Sequence, residues 1–212
     1  MIEPARGWVE AELEEEFPGL EPHHLAAPGA TGRSPEAVRE HLRRLSDRFT
    51  GAKAVRLRLE PVPAAYRAFF RQVGIDPEER RTPAEDLALL RMKEGGYRSR
   101  GRVADALTIA TAETSVAVSA FDADRVVGRP GLRPSRPGER LGPQGRTLSA
   151  GEIVLVDDSQ PVGALFGEPA PGAEVDRRTE RVLLVALRVA GVPMVAVEEA
   201  LWSAAAVLAV PA

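Results

Sequence analysis

Apolar residues recur at helical spacing in three stretches of the first hundred residues. Val38, Leu42, Leu45 and Phe49 fall on one helical face. Ser34 ahead of Pro35 predicts the start of that helix, with the serine as cap and proline at the first helical position. Tyr66, Phe69, Phe70 and Val73 predict a second helix, which stops at Gly74. Thr82-Pro83-Ala84-Glu85 is a capping box opening a third helix, ahead of Leu87, Leu90 and Met92, and Gly95-Gly96 closes it. Between the first two, Val55, Leu57 and Leu59 alternate with Arg56 and Arg58, which predicts a half-buried strand.

Further along, residues 103–113 read as a helix and 115–119 and 153–157 as strands. A turn at Asp158-Ser159-Gln160-Pro161 is expected to fold the second of these strands back onto residues 162–166. Asp176 caps a short turn before the apolar run 182–189, whose periodicity leaves helix and buried strand open. The alanine-rich segment 195–210 reads as a helix. Residues 1–30 look peripheral and end in a small-residue stretch, 26–30. No repeat or dividing linker is visible, so residues 1–212 form one domain. The expected class is α+β, a mixed sheet sandwich with flanking helices.

The 212 residues are 44% apolar, and a chain of this length buries about 70% of its unfolded surface. No apolar run approaches the roughly 20 residues of a membrane span, and residues 1–16 lack the basic start and apolar core of a signal peptide. The chain has no cysteine, which excludes disulfides and thiolate metal sites. The expected location is the cytoplasm, without membrane contact. The net charge of −3 is unevenly spread: residues 1–29 carry −6, residues 30–102 carry +7 and residues 103–212 carry −4. A basic middle third suits a phosphate-bearing partner; solvated helix faces with balancing ion pairs account for it equally. All cations but Lys53 and Lys93 are arginine, the side chain suited to bidentate phosphate contact.

Several chemistries find no support. His23 and His24 read as exposed loop residues, and His41 is distant from them, so no zinc ligand set forms. All three histidines precede residue 42, and no nucleophile is paired with a base. Gly128, Gly131 and Gly138 are interleaved with prolines and make no phosphate loop. Asp157-Asp158 reads as turn chemistry. No metal and no cofactor is expected.

The middle of the chain carries an ordered series of short motifs. Tyr66-Arg67, Gly74-Ile75-Asp76-Pro77 and Thr82-Pro83-Ala84-Glu85-Asp86-Leu87 come first, then Val103-Ala104-Asp105 and Ala120-Phe121-Asp122-Ala123-Asp124. Leu132-Arg133-Pro134, Gly138-Glu139, Leu141-Gly142 and Gly151-Glu152-Ile153-Val154 follow. In order and spacing, residues 60–190 resemble the B3/B4 domain, the editing module of the phenylalanyl-tRNA synthetase β chain, and its freestanding relatives. Phe121, Gly138 and Gly151 read as structural members of this series.

The resemblance implies the B3/B4 fold and hydrolysis of the ester of a mischarged tRNA. In that family a pocket at the face of a sheet positions water and substrate without metal or covalent intermediate. The sequence departs from the family at the pocket. A His-Pro pair before the aligned Asp105 is replaced by Gly101-Arg102, and Thr108 stands where the family has an asparagine. The pocket glutamate matches Glu168 after Gly167, with Glu174 as a competing candidate. The resemblance thus points to Glu168 and Thr108 as catalytic candidates and to Phe166, Ser119, Glu174 and Gly101 around the substrate. Arg91, Lys93, Arg98, Arg100 and Arg102 flank the pocket entrance as RNA-binding candidates, with Tyr97 available to stack on a base, on a loop made flexible by Gly95, Gly96 and Ser99. The leading expectation is a trans-editing aminoacyl-tRNA deacylase, partnered by tRNA through its aminoacylated 3′ end. A nonenzymatic nucleic-acid-binding module of the same fold is the alternative, and a binding protein for amino acids or small metabolites is the third.

Overall fold

A computed structural model describes residues 3–29 and 31–211. Ala30, the last residue of the small-residue stretch 26–30, lies outside them. Two four-stranded sheets pack face to face. The first contains β1 (Ala5–Arg6), β3 (Glu21–Pro28), β8 (Arg181–Arg188) and β4 (Val118–Asp122) in the order β1-β3-β8-β4, all antiparallel. The second contains β2 (Trp8–Val9), β5 (Gly131–Pro134), β6 (Ile153–Val156) and β7 (Pro161–Ala164) in that order, with β2 parallel to β5 and the rest antiparallel. Phe121 of β4 reaches across to the second sheet: its ring lies 3.2 Å from where a Cβ on Gly163 of β7 would stand, a close approach that any larger residue there would have to push back.

Among the described residues, seven helices flank the sheets: α1 (Ala11–Glu16), α2 (Glu36–Arg48), α3 (Gly51–Arg56), α4 (Pro61–Gln72), α5 (Pro83–Glu94), α6 (Arg102–Thr114) and α7 (Met194–Ala209). α7 lies on β3 and β8, and α6 on β4. Covered on both sides, β8 buries all of its residues from Val182 to Leu187, which explains its continuous apolar run and settles it as a strand. The architecture is α+β, as expected. The helices of 34–49, 66–73 and 82–95 form, and so does the hairpin of 153–164. At α5, the Thr82 N–H and hydroxyl both donate to Glu85 Oε2, at 3.1 and 2.7 Å, and Gly95 closes the helix with φ 74°.

Four expectations are corrected. Residues 55–59 are α3 and a 3-10 turn, not a strand: Val55 and Leu59 are exposed and only Leu57 is buried, against Phe49, Ala84 and Ala88. The alternation therefore marked no inner face. His23 and His24 lie in β3, opposite Ala186 and Val185, and not in an exposed loop. β3 stands between β1 and β8, so the described part of the segment 1–30, from Ala5 to Pro28, is built into the sheets and is not peripheral. Ser34 does not cap α2, whose cap position is Pro35; its hydroxyl instead donates to Asp105.

Candidate functional site

Asp105 organises the loop that leads into α6. Its carboxylate, 1% exposed, accepts the Arg100 N–H at 2.8 Å on Oδ1 and the Ser34 and Ser99 hydroxyls, both at 2.5 Å, on Oδ2. The loop expected to be flexible is thus tied to the helix at two successive residues. Gly101 follows with φ 111° as the N-cap of α6 and brings no side chain to cap it. The Arg102 N–H reaches the Gly32 carbonyl at 2.8 Å, while Val103 and Ala104 sit at the open first turn. Such a turn presents the positive end of the helix dipole.

A pocket of about 540 Å³ opens at this turn. Arg33 and Thr31 line it from the segment before α2, Arg100 and Gly101 from the α6 loop, and Val175 and Arg177 from the segment before β8. Arg33, Arg100 and Arg177 are exposed. Asp176 is the carboxylate in the lining, and it is engaged: it accepts the Arg178 N–H at 2.7 Å and Arg125 Nη2 at 2.5 Å. Those two hydrogen bonds, the backbone one first, hold its carboxyl below the usual range. The pocket is a cationic recess with no free acid.

The residues named from the sequence are scattered around this recess. Arg100, Gly101 and Arg102 line it, and Glu174 is exposed immediately before its Val175 wall, accepting the Gly172 N–H at 2.6 Å. Glu168 is exposed beside the edge of β7 and has no hydrogen-bond or ion-pair partner among the described residues. Thr108 lies about 10 Å along α6 from Gly101, in a separate cleft of about 370 Å³ between α5 and α6 that it shares with Leu87, Leu90, Leu107 and Asp86. Burial pushes the Asp86 carboxyl up. Ser119 is half-buried in β4 opposite Val185, on the face that carries Phe121.

Phe166 stands at the other end of the sandwich. It adopts φ 50° and packs edge-on against Tyr66 at 5.6 Å and Phe69 at 6.1 Å, and tilted on Phe70 at 4.9 Å. The Tyr66 hydroxyl donates to the Leu187 carbonyl at 2.5 Å, near the end of β8. The recess lies by contrast at the end where β8 begins, since Arg177 precedes Arg181 and the Arg125–Asp176 pair adjoins Asp122. The eight residues of β8 span roughly 25 Å.

Two of the RNA-contact expectations fail on burial. Tyr97 is 7% exposed, its ring edge-on to Phe49 at 6.2 Å, and burial pushes its hydroxyl up to about 12; no face is available for a base. Arg102 is 4% exposed and donates Nη1 to the Val210 carbonyl at 2.9 Å, so it is a tie between α6 and the end of α7. Arg91 donates to the Ser46 carbonyl at 2.9 Å. Lys93 and Arg98 are exposed, and Arg100 pairs with Glu94. Arg33 and Arg177 went unnoticed in the sequence, where their only signal is that each follows a turn residue, Gly32 or Asp176.

The model of a family described as the B3/4 domain matches residues 65–198. That span begins within α4 and ends within α7, so it omits β3 although β3 pairs with β8 along its whole length. Comparison with curated proteins finds no match.

Proposed function

The chain belongs to the B3/4 domain family, and on that premise we propose that it is a trans-editing aminoacyl-tRNA deacylase of the cytoplasm. It takes the acylated 3′ end of a tRNA at the Gly101 recess and hydrolyses the ester to free amino acid and tRNA. The observation that carries this reading is the cationic recess at Gly101, with Arg33, Arg100 and Arg177 around the uncapped turn of α6.

Water is the nucleophile. Its attack on the ester carbonyl concentrates negative charge on the carbonyl oxygen, and the first-turn amides of Val103 and Ala104, with the positive end of α6, favour that oxyanion. The arginines hold phosphodiesters and fix the ester against the helix end, which lowers the barrier by positioning. Of the two candidate carboxylates, Glu174 belongs to the segment that walls the recess and is the one proposed to orient the water. Thr108 supports α6 from the neighbouring cleft and does not touch the ester in this scheme.

The test is a panel of tRNA charged with each amino acid in turn, with ester hydrolysis followed against a buffer blank. Release of one or a few amino acids, lost in Glu174→Gln, supports the deacylase and its site. Release unchanged in that variant keeps the enzyme and moves the carboxylate role elsewhere. A second reading, a tRNA-binding module without turnover, is favoured by the one lining carboxylate, Asp176, being already paired with Arg125. Tight binding with no release of any amino acid establishes that reading instead.

A further inference from the structure

At the opposite end of the sandwich a larger pocket, of about 800 Å³, lies between α1, the C-terminal end of α4 and the β6–β7 hairpin. We propose that it binds a free α-amino acid with an apolar side chain. The site is separate from the Gly101 recess, and the inference does not rest on the deacylase reading.

The floor of the pocket is apolar. Leu13, Ile153 and Leu165 are buried there, and Phe17, Val73 and Ile75 are half-buried beside them. Gly74 and Gly151 also line it, and at each the place of a Cβ is empty to 4 Å, which leaves room for a ligand over that floor. An aliphatic or aromatic side chain gains burial on such a surface.

The rim carries two glutamates, Glu16 and Glu152, and two arginines, Arg80 and Arg146. A plain anion meets two carboxylates there and a plain cation meets two guanidiniums, so the balance of charge selects a zwitterion. The four groups are not equivalent. Arg146 grips both oxygens of Glu152, with Nη1 at 2.9 Å from Oε2, and the Ser149 N–H donates to Oε2 at 3.2 Å. The Arg146 hydrogen bond, ahead of the others, holds the Glu152 carboxyl below the usual range. That pair is closed.

Arg80 is held differently. Its Nη2 donates to the carbonyls of Leu165 at 3.2 Å and Phe166 at 3.3 Å, which fixes the guanidinium at the rim and leaves Nε and Nη1 without partners among the described residues. Glu16 and Gln72 likewise make no hydrogen bond or ion pair among the described residues. One oriented guanidinium edge and one open carboxylate remain, the two groups that a ligand's carboxylate and ammonium require.

The experiment is isothermal calorimetry of the intact protein with leucine and phenylalanine, alongside 4-methylpentanoate, which lacks the ammonium, and leucine methyl ester, which lacks the carboxylate. Expected is binding of leucine or phenylalanine, weakened at least about ten-fold in each analogue and in each of Arg80→Met and Glu16→Gln. Both substituted side chains are exposed, and circular dichroism checks that the variants fold; the analogue series on the unsubstituted protein decides the matter if they do not. No heat from any standard amino acid at millimolar concentration overturns the proposal. So does binding of the analogues as tight as that of leucine, or binding indifferent to both substitutions.

Discussion

The Ser34 hydroxyl donates to Asp105 at 2.5 Å across 71 residues of sequence, and the contact is fully inside the protein. It joins the segment that carries Arg33 to the helix that carries Gly101, so one buried carboxylate sets the spacing of two walls of the recess. Asp105→Ala leaves two hydroxyls and the Arg100 N–H without their acceptor. Stability falls by about 3 kcal/mol, read by urea unfolding, and amide exchange at residues 99–101 speeds up more than in α7.

Removing Arg33 or Arg177 is predicted to weaken tRNA binding uniformly across tRNAs and to flatten its salt dependence by about one unit of log K against log salt for each arginine. Tyr97→Ala and Arg102→Ala behave otherwise. Both side chains are buried, so these variants lose stability before they lose affinity. Filter binding at several salt concentrations, paired with thermal unfolding, separates the two classes.

The capping box of α5 does more than start a helix. Arg67, 7% exposed, donates Nη1 to Glu85 Oε1 at 2.7 Å and also pairs with Glu78. Thr82→Ala removes the cap alone and costs about 1 kcal/mol. Glu85→Ala also takes the better-buried partner from Arg67 and costs about 3 kcal/mol. Equal losses in chemical denaturation would contradict this arrangement.

His24 and Glu139 are among the groups that tie stability to pH. Burial first, then the charges of His23 and Arg129, push the His24 imidazole down from its usual 6.5. The folded form holds it neutral while the unfolded chain takes up a proton, so stability is full above pH 6.5 and declines as pH falls from there through the lowered value. His24→Asn removes this slope. Glu139 acts in the more acid range: the hydrogen bond from Arg133 outweighs burial and holds its carboxyl below 4.5. Its contribution is present above pH 4.5 and is lost as pH falls through the lowered value, and Glu139→Gln flattens that part of the profile.

The local part of this fold was legible in the sequence because its causes are local. Thr82, Pro83 and Glu85 make their cap within four residues, and Asp157 accepts the N–H groups of Ser159 and Gln160 at 2.7 and 2.8 Å to turn the β6–β7 hairpin. What escaped was decided over distance. β3 reads Glu-Pro-His-His, a poor strand signal, and is a strand because β8 pairs with it residue by residue. Tyr97 and Arg102 sit in a polar, glycine-rich stretch that reads as surface; Phe49 and Val210 bury them from 48 and 108 residues away. The candidate site shares that fate, since Arg33, Gly101 and Arg177 meet only through the tertiary fold and no spacing announces them.

The most direct test is single-turnover hydrolysis of the aminoacyl-tRNA identified by the panel, comparing the unsubstituted protein with Arg33→Ala/Arg177→Ala at saturating protein. Expected is a fall in rate of at least about ten-fold that added protein does not restore, because the arginines position the ester as well as bind the RNA. Hydrolysis at the full rate once the variant is saturated would contradict it, and would place the chemistry away from the Gly101 recess.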